Sequence, residues 1–283
     1  AARFATVSGK GYRPARVRLG ALRGLAAALV FLYFVLAILL PFVALLWASL
    51  IPYFAGFSLH MLQRASLSAY ANLFASPRLR EAVVNSGLIA VAAAASLIVL
   101  SFLSAWIVLR SKLRRSWVID FLCMIPLGLP PLMIGIALVV VAFSARFLAL
   151  YGTIWVIALG HVIVFLPIAS RMMQAGLIQI GGEIEEAAGM AGATLFQTFR
   201  RITMPLLSAT TVALAIWVLV HSIREFSIAV MLQSGRNSVL STILYSYWDT
   251  GSPERAAALA VLLMIALLAL VAILSLTRRR LEI

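Results

Sequence analysis

Long apolar runs constrain this chain more than any other feature of its sequence. A run of roughly 20 apolar residues is long enough for a helix to cross a bilayer. The chain is 64% hydrophobic and 11% charged, with a mean hydropathy of +1.07, which excludes a water-soluble domain. We therefore predict an all-α, polytopic membrane protein with six transmembrane helices, at Leu25–Leu50, Val83–Leu109, Phe121–Phe143, Tyr151–Ala169, Leu206–Met231 and Ala256–Leu276.

Basic residues lie unevenly on the two sides of these runs. The formal net charge is +14, but the arginines and lysines cluster at the ends of apolar runs, a pattern that encodes membrane topology rather than nucleic-acid binding. With a cytosolic N-terminus, sixteen of the 23 basic residues fall on the cytosolic side, six fall outside, and Arg224 lies within a run. We therefore expect both termini in the cytosol, and membrane lipid but no nucleic acid as a partner.

The predicted segments are a basic cytosolic segment at 1–24, a six-helix domain at 25–276 and a basic cytosolic tail at 277–283. Within the domain, a polar loop at 178–205 falls on the cytosolic side. Gly192 permits a sharp turn after a short acidic helix, and Thr194 is placed to cap the next helix. The sequence thus predicts two short helices in this loop, between the fourth and fifth spans.

The same loop carries an ordered motif. The motif begins with Glu186, Ala187 and Ala188, and Gly192 follows after three intervening residues. Nine further residues then separate Gly192 from Ile202, and Pro205 ends the motif. This spacing resembles the signature loop of the membrane subunits of bacterial ABC importers that work with a periplasmic binding protein. Met204 departs from the commoner leucine but is also apolar. The resemblance implies a type I ABC importer permease fold with a cytosolic coupling-helix loop, in the bacterial inner membrane.

The resemblance also implies roles and partners. In that family the short helix docks in a groove of the ATPase, so Glu186 would face the ATPase and Gly192 would let the two short helices pack tightly. The implied partners are two ABC ATPase subunits, a second permease unit (identical or fused) and a periplasmic substrate-binding protein. Because the sequence has no P-loop motif, ATP and Mg²⁺ would be bound by the partner ATPase, and we expect no cofactor on this chain. An ordinary helical hairpin is the alternative interpretation of the loop.

Two places in the predicted spans are candidates for the translocation path or its gate. Pro126 and Pro130 must break or kink the third span, either as a flexing element or as a static kink. Arg224 and Glu225 lie near the end of the fifth span and point to different faces of a helix. Intramembrane ionisable residues usually face a bundle interior or a water-filled path, so we expect a gate or a substrate contact there. A structural pair with another helix is the alternative.

Two short segments favour ferric iron as the substrate. Arg224-Glu225-Phe226 and Tyr247-Trp248-Asp249 resemble the ferric iron branch of these permeases, whose relatives carry phosphonate, polyamine or thiamine. Gly9-Lys10-Gly11-Tyr12-Arg13-Pro14 resembles the junction before the second half of fused iron permeases. The predicted outer loops hold more basic than acidic residues, which favours chelated iron or another anion over a bare polycation. Arg224 is the side chain best placed to meet such an anion.

The other function classes have less support. An ion-coupled secondary transporter is the alternative from another class. It would need carboxylates within its spans as coupling sites, and apart from Glu225 no predicted span carries an acidic residue. An intramembrane enzyme would need a catalytic motif, and the sequence has neither GxSxG nor HExxH, so we expect no catalytic residues. The single cysteine, Cys123, is predicted to be a packing residue, and the three scattered histidines do not predict a metal site.

Overall fold

The computed structural model describes residues 22–52, 58–111, 113–144, 150–235 and 237–281, and in these residues the chain is helical with no β-strand. This confirms the all-α prediction. The α-helices are α1 Leu22–Phe34, α2 Leu40–Leu50, α3 Leu59–Leu62, α4 Ser68–Ala75, α5 Pro77–Arg110, α6 Ser116–Met124, α7 Pro131–Ser144, α8 Ile154–Gln179, α9 Gly182–Met190, α10 Leu195–Thr198, α11 Met204–Leu206, α12 Ser208–Arg224, α13 Ser227–Leu232, α14 Leu240–Asp249 and α15 Pro253–Leu281.

Each predicted apolar run corresponds to a long helix or to a bent pair of helices. Four continuous helical stretches are long and apolar enough to cross a membrane: Leu22–Leu50, Pro77–Arg110, Ile154–Gln179 and Pro253–Leu276. Two bent pairs meet the same criterion together, Ser116–Gly128 with Pro131–Ser144 and Phe196–Leu206 with Ser208–Arg224. Counting each pair as one span gives the predicted total of six.

The third predicted span, Phe121–Phe143, is not one helix. It bends by 103° between a first half that ends in the 3-10 turn Ile125–Gly128 and a second half that begins at Pro131. Contacts to different elements stabilise the two halves. Asp120 in α6 accepts hydrogen bonds from Arg171 (3.1 Å) and Gln174 (2.8 Å) in α8. In α7, a Cβ on Gly135 would lie 3.0 Å from Met231 Cβ, so α7 packs closely on α13.

The fifth predicted span, Leu206–Met231, is present, but its helices begin and end at other residues. Pro205 lies in the short helix α11, and a 65° bend separates this region from α12, which begins at Ser208. At the other end α12 stops at Arg224, because Glu225 has an extended backbone (φ −65°, ψ 125°). A separate helix, α13, follows. The apolar run therefore continues through a break that its composition does not reveal.

The described residues form two compact units. The first comprises the described part of Ala1–Ala75 together with Ser246–Ile265. Its helix Leu22–Leu50 is strongly apolar after Arg23 and carries no buried residue within its most hydrophobic window, as suits a helix surrounded by lipid. The Ser49 hydroxyl forms a hydrogen bond of 2.7 Å with the Tyr70 hydroxyl and joins α2 to α4.

The second unit comprises the described parts of Ser76–Tyr245 and Ala266–Ile283. Within it, helix α8 contacts α5, α7, α12 and α13. Two buried clusters surround α8. The first is formed with α5 and α12 around Leu97, Met173 and Leu214, and the second with α7 and α13 around Leu138, Ile157 and Ile228.

Glycines on α8 allow close helix contacts on both sides of this unit. A Cβ on Gly160 would lie 2.6 Å from Ile228, and a Cβ on Gly176 would lie 2.5 Å from Thr210 Oγ1. Helix α8 therefore has fixed neighbours along most of its length.

Several predicted features lie on residues outside this description. They include the basic segment 1–24 except for its last three residues, the iron-permease-like stretch Gly9–Pro14, and the last two residues of the tail 277–283. The basic residues Lys112, Arg146 and Arg236 used in the topology prediction also lie outside it.

Candidate functional site

The motif loop folds as two short helices joined by a turn. Helix α9 ends in a pair of hydrogen bonds, from Ala193 N to Ala188 O and from Gly192 N to Gly189 O, both 3.0 Å. These two bonds define a Schellman motif with Gly192 as the first residue beyond the cap, in the left-handed conformation (φ +84°). In a Schellman motif the left-handed residue lies four positions after the residue whose carbonyl accepts the longer-range bond, and Gly192 lies four positions after Ala188.

A capping box starts the second short helix. The Thr194 hydroxyl accepts a hydrogen bond from Gln197 N (3.3 Å), and Gln197 Oε1 accepts one from Thr194 N (2.9 Å). This reciprocal pair satisfies two amide groups that the start of a helix leaves without intrahelical partners. The predicted cap at Thr194 is present, and the pairing with Gln197 strengthens it.

The six motif residues differ in exposure. Glu186 and Ala187 are exposed, Ala188 and Ile202 are half-buried, and Gly192 and Pro205 are exposed. One expectation needs correction: no atom lies within 4 Å of a Cβ built on Gly192, so a close approach of the two helices does not explain this glycine. Its positive φ does, because a Cβ destabilises the left-handed conformation by about 1–2 kcal/mol.

Large apolar side chains of this loop are also exposed. Met190 is 91% exposed and Phe196 67%. We call residues Gly182–Leu206, with these side chains and Glu186, the coupling segment.

Glu185, rather than Glu186, attaches the coupling segment to the rest of its unit. Its Oε2 accepts a hydrogen bond from Arg110 Nε (3.0 Å), and its Oε1 accepts one from the buried Thr203 hydroxyl (3.1 Å). Arg110 also donates to the carbonyl oxygens of Leu177 (3.1 Å) and Ile180 (3.3 Å) at the end of α8. No local sequence pattern predicts this pairing, since Arg110 and Glu185 lie 75 positions apart.

Glu225, predicted to line the translocation path or its gate, caps the start of α13 with a buried side chain. Its side chain is 9% exposed, and its carboxylate accepts hydrogen bonds from Ile228 N (3.0 Å) and Ala229 N (3.4 Å) at the start of α13. Its Oε2 also lies 3.5 Å from Nε2 of His161 in α8. That distance is within ion-pair range, and His161 Nε2 has no hydrogen-bond partner among the described residues.

His161 completes this contact through its other nitrogen, since Nδ1 lies 2.7 Å from the buried Ser222 hydroxyl. The residues His161, Ser222 and Glu225 thus join α8, the end of α12 and the start of α13. This is the structural pairing with another helix that the sequence left open as the alternative for Glu225.

Arg224, in contrast to the adjacent Glu225, is exposed, in line with the expectation that these two side chains point in different directions. It shares one side of α12 with Trp217 and His221, at spacings of four and three residues. The rings of Trp217 and His221 stack with centroids 4.1 Å apart. Because the Trp217 carbonyl can only accept, His221 Nδ1 donates the 2.8 Å hydrogen bond between them. Trp217, His221 and Arg224 form what we call the α12 polar face.

The two prolines occupy different positions at the break in the third span. Pro126 is half-buried within the 3-10 turn, while the exposed Pro130 immediately precedes α7 and its carbonyl accepts from Met133 N (2.9 Å). The break therefore lies between Gly128 and Pro131. Across the described ranges, no group of three or more His, Cys, Asp or Glu side chains could hold a metal ion, and Cys123 is buried in α6 as a packing residue.

Two solved structures share this fold. One is a bacterial ABC transporter involved in the import of the acidic polysaccharide alginate, with a TM-score of 0.72 and 18% identity over 91% of this chain and 95% of that chain. The other is a bacterial alginate ABC transporter in complex with an alginate pentasaccharide-bound periplasmic protein, with the same TM-score and identity over 90% and 94% of the two chains. They confirm the predicted type I importer permease fold.

Sequence relatives are permease proteins by name. A protein of Salmonella paratyphi A named as the 2-aminoethylphosphonate transport system permease PhnV is 28% identical over 140 residues, which cover 50% of this chain and 52% of that protein. The sulfate transport system permease protein CysT of Salmonella typhimurium is 29% identical over 194 residues, covering 64% and 70%. The chain thus spans about half the length of PhnV.

The family comparison covers the elements described above. Residues 97–281 match the family described as the binding-protein-dependent transport system inner membrane component. That range includes most of the second unit, the coupling segment and the α12 polar face, and it is more than half of the chain. The protein is therefore a member of the family of binding-protein-dependent transport system inner membrane components.

Proposed function

We propose that this chain is the transmembrane permease subunit of an ATP-driven ABC importer, which forms part of the translocation path and couples to a separate ATPase. The coupling segment is the observation that carries the proposal. It presents a short helix with exposed Glu186 and Met190, and its end is fixed by Gly192. A short helix with exposed apolar anchors is suited to dock in a groove of a partner.

The energy source lies in other subunits. The sequence has no P-loop, so two ATPase subunits bind ATP and Mg²⁺ and hydrolyse the nucleotide. This chain contributes conformational states that differ in their affinity for the ATPase and the substrate. The coupling segment and both termini face the cytosol in this proposal, which the bias of basic residues supports.

Two further partners complete the proposed importer. A second permease unit, identical or fused, encloses the path together with this chain, and a periplasmic binding protein delivers the substrate. Family membership supports both partners. The fold likeness to the alginate transporter with its bound periplasmic protein supports the second.

The proposed substrate is a small oxyanion of the phosphonate or sulfate class. Both substrates appear in the names of the relatives above. The exposed Arg224 supports an anion, because its guanidinium binds phosphonate or sulfate oxygens bidentately. Ferric iron, which the motifs around Arg224 and Tyr247 favour, is the second candidate. Chelated iron is also anionic, so the same face suits both candidates.

One experiment tests the coupling role. The double substitution Glu186→Lys with Gly192→Asp reverses the exposed charge and places a Cβ at a positive φ. We expect the variant permease to insert normally and to lose the ATPase during purification in detergent. Glu81→Lys, a charge reversal on an exposed site of α5 outside the coupling segment, is the control and should retain the ATPase. Retention of the ATPase with normal transport in the double variant would contradict the proposed function.

A second experiment addresses the substrate. Cells that express the complete importer are supplied separately with 2-aminoethylphosphonate, sulfate, ferric citrate and putrescine. We expect uptake of one oxyanion, lowered about tenfold by Arg224→Ala with the ATPase still bound. Uptake of ferric citrate alone would assign iron instead, and uptake of putrescine would contradict an anionic substrate.

A further inference from the structure

A polar cluster connects the coupling segment to two long helices. Arg110 is the last residue of α5, and its guanidinium contacts both the end of α8 and the Glu185 carboxylate. Glu185 in turn contacts Thr203, on the segment that leads from the second short helix to α12. We call Arg110, Glu185 and Thr203 the anchor cluster.

The geometry makes this cluster stronger than an ordinary surface ion pair. The side chains of Arg110 and Glu185 are 18% and 12% exposed, and Thr203 is fully buried. A guanidinium at the end of α8 also satisfies carbonyl groups that have no intrahelical partner, and its charge is favourable there. Both carboxylate oxygens of Glu185 are occupied by donors from different elements.

The connections are selective. Glu186, one residue further along, is exposed and free to meet a partner, whereas Glu185 is directed into the unit. The same short helix thus exposes the Glu186 carboxylate and holds the Glu185 carboxylate inward. We assign Glu186 to docking on the ATPase, whereas Glu185 fixes the position of α9 relative to α5 and α8.

We propose that Arg110 and Glu185 are positioning residues for energy coupling, which make the coupling segment move as one body with the ends of α5 and α8. This inference rests on the proposed function. When the ATPase displaces α9, the ion pair and the Thr203 hydrogen bond transmit the displacement to the long helices. Without them, α9 shifts against those helices, and ATP hydrolysis is no longer linked to opening of the path.

The test measures coupling separately from assembly. Complexes that contain Glu185→Gln, Arg110→Gln or both substitutions are reconstituted with the ATPase and the loaded binding protein. We expect the ATPase to co-purify at the wild-type level. We also expect at least a tenfold increase in ATP hydrolysed per substrate transported and loss of the stimulation by the binding protein. The double variant should show the same deficit as each single variant, because both remove one shared contact.

Glu81→Gln is the control, since Glu81 is an exposed carboxylate of α5 that lies outside the coupling segment, and it should couple as the wild type does. Unchanged coupling in the Glu185 and Arg110 variants would overturn the inference while leaving the proposed function intact. Loss of the ATPase from these variants would also overturn it, by assigning the cluster to docking. A wild-type complex that neither binds the ATPase nor transports would instead overturn the proposed function.

Discussion

Replacing Glu225 with alanine should destabilise the second unit strongly. The substitution removes the carboxylate that accepts hydrogen bonds from Ile228 N and Ala229 N and that lies 3.5 Å from His161 Nε2. Ile228 and Ala229 are completely buried, and His161 is 2% exposed, so water cannot readily replace the lost acceptor. Alanine therefore leaves two buried amide donors, Ile228 N and Ala229 N, without their acceptor.

The size of the effect follows from these contacts. Leaving a buried donor without a partner costs about 1–3 kcal/mol, and Glu225→Ala does this to two amides. The two amides together cost about 2–6 kcal/mol, and we expect the free energy of unfolding to fall by about 3–5 kcal/mol. Glu225→Gln keeps one acceptor oxygen for the start of α13 and loses only the charge, so it should cost less than Glu225→Ala.

The protein contains its own reporter for this measurement. Cys123 is the single cysteine and is 7% exposed, so a maleimide dye that fluoresces on reaction with thiols follows unfolding in detergent. For a chain of this size, about 1 kcal/mol corresponds to about 2–4 °C, so Glu225→Ala should lower the unfolding midpoint by about 6–20 °C. Glu183→Ala, on an exposed site, is the control and should leave the midpoint unchanged.

A fall of less than about 2 °C for Glu225→Ala, with normal labelling of Cys123 after unfolding, would refute this reasoning. It would mean that the start of α13 finds other acceptors or that the break between α12 and α13 contributes little to stability. An equal loss for Glu225→Gln and Glu225→Ala would show that the charge matters more than the acceptor geometry.

Three other substitutions test separate features of the structure. Gly176→Ala should cost about 1–3 kcal/mol in the same unfolding assay, because its Cβ would lie 2.5 Å from Thr210 Oγ1. Gly87→Ala, with nothing within 4 Å, should instead be neutral or stabilising, and equal effects would contradict the close packing of α8 on α12. Gly192→Ala should lower the free energy of unfolding by about 1–2 kcal/mol because of the positive φ, and Gly192→Asn should lower it less because asparagine tolerates that conformation better. If the glycine were needed only for space, the larger asparagine would cost more than alanine. In a Cys123→Ser background, an impermeant thiol reagent applied to whole cells should label Ala65→Cys but not Ala191→Cys, and the reverse pattern would invert the proposed topology.

Local patterns predicted much of this structure. Apolar runs gave the number of spans because burial in lipid depends on composition over about 20 residues. The spacing from Ala188 to Gly192 and the cap at Thr194 were visible because helix ends are set by neighbours within a few positions. These features need no information about which helices pack together.

Contacts between distant parts of the sequence could not be predicted in this way. Glu225 pairs with His161, and Glu185 with Arg110, across 64 and 75 positions respectively. Nothing in the local pattern separates Glu185 from Glu186, because both lie at the start of the same acidic helix. Similarly, the prolines predicted a kink, but the 103° bend depends on what α6 and α7 each contact.

Helix α8 continues well beyond its apolar run. The predicted span ended at Ala169, but the helix ends at Gln179, ten residues later, which is about 15 Å of additional helix. Each residue also advances the helix by about 100°, so the number of residues in this extension sets the direction in which α9 leaves it. One inserted residue would turn the coupling segment by more than a quarter of a circle, whereas seven would return it almost to its original bearing. The rotation accumulated along this extension, rather than its length alone, therefore determines the direction in which Glu186 faces.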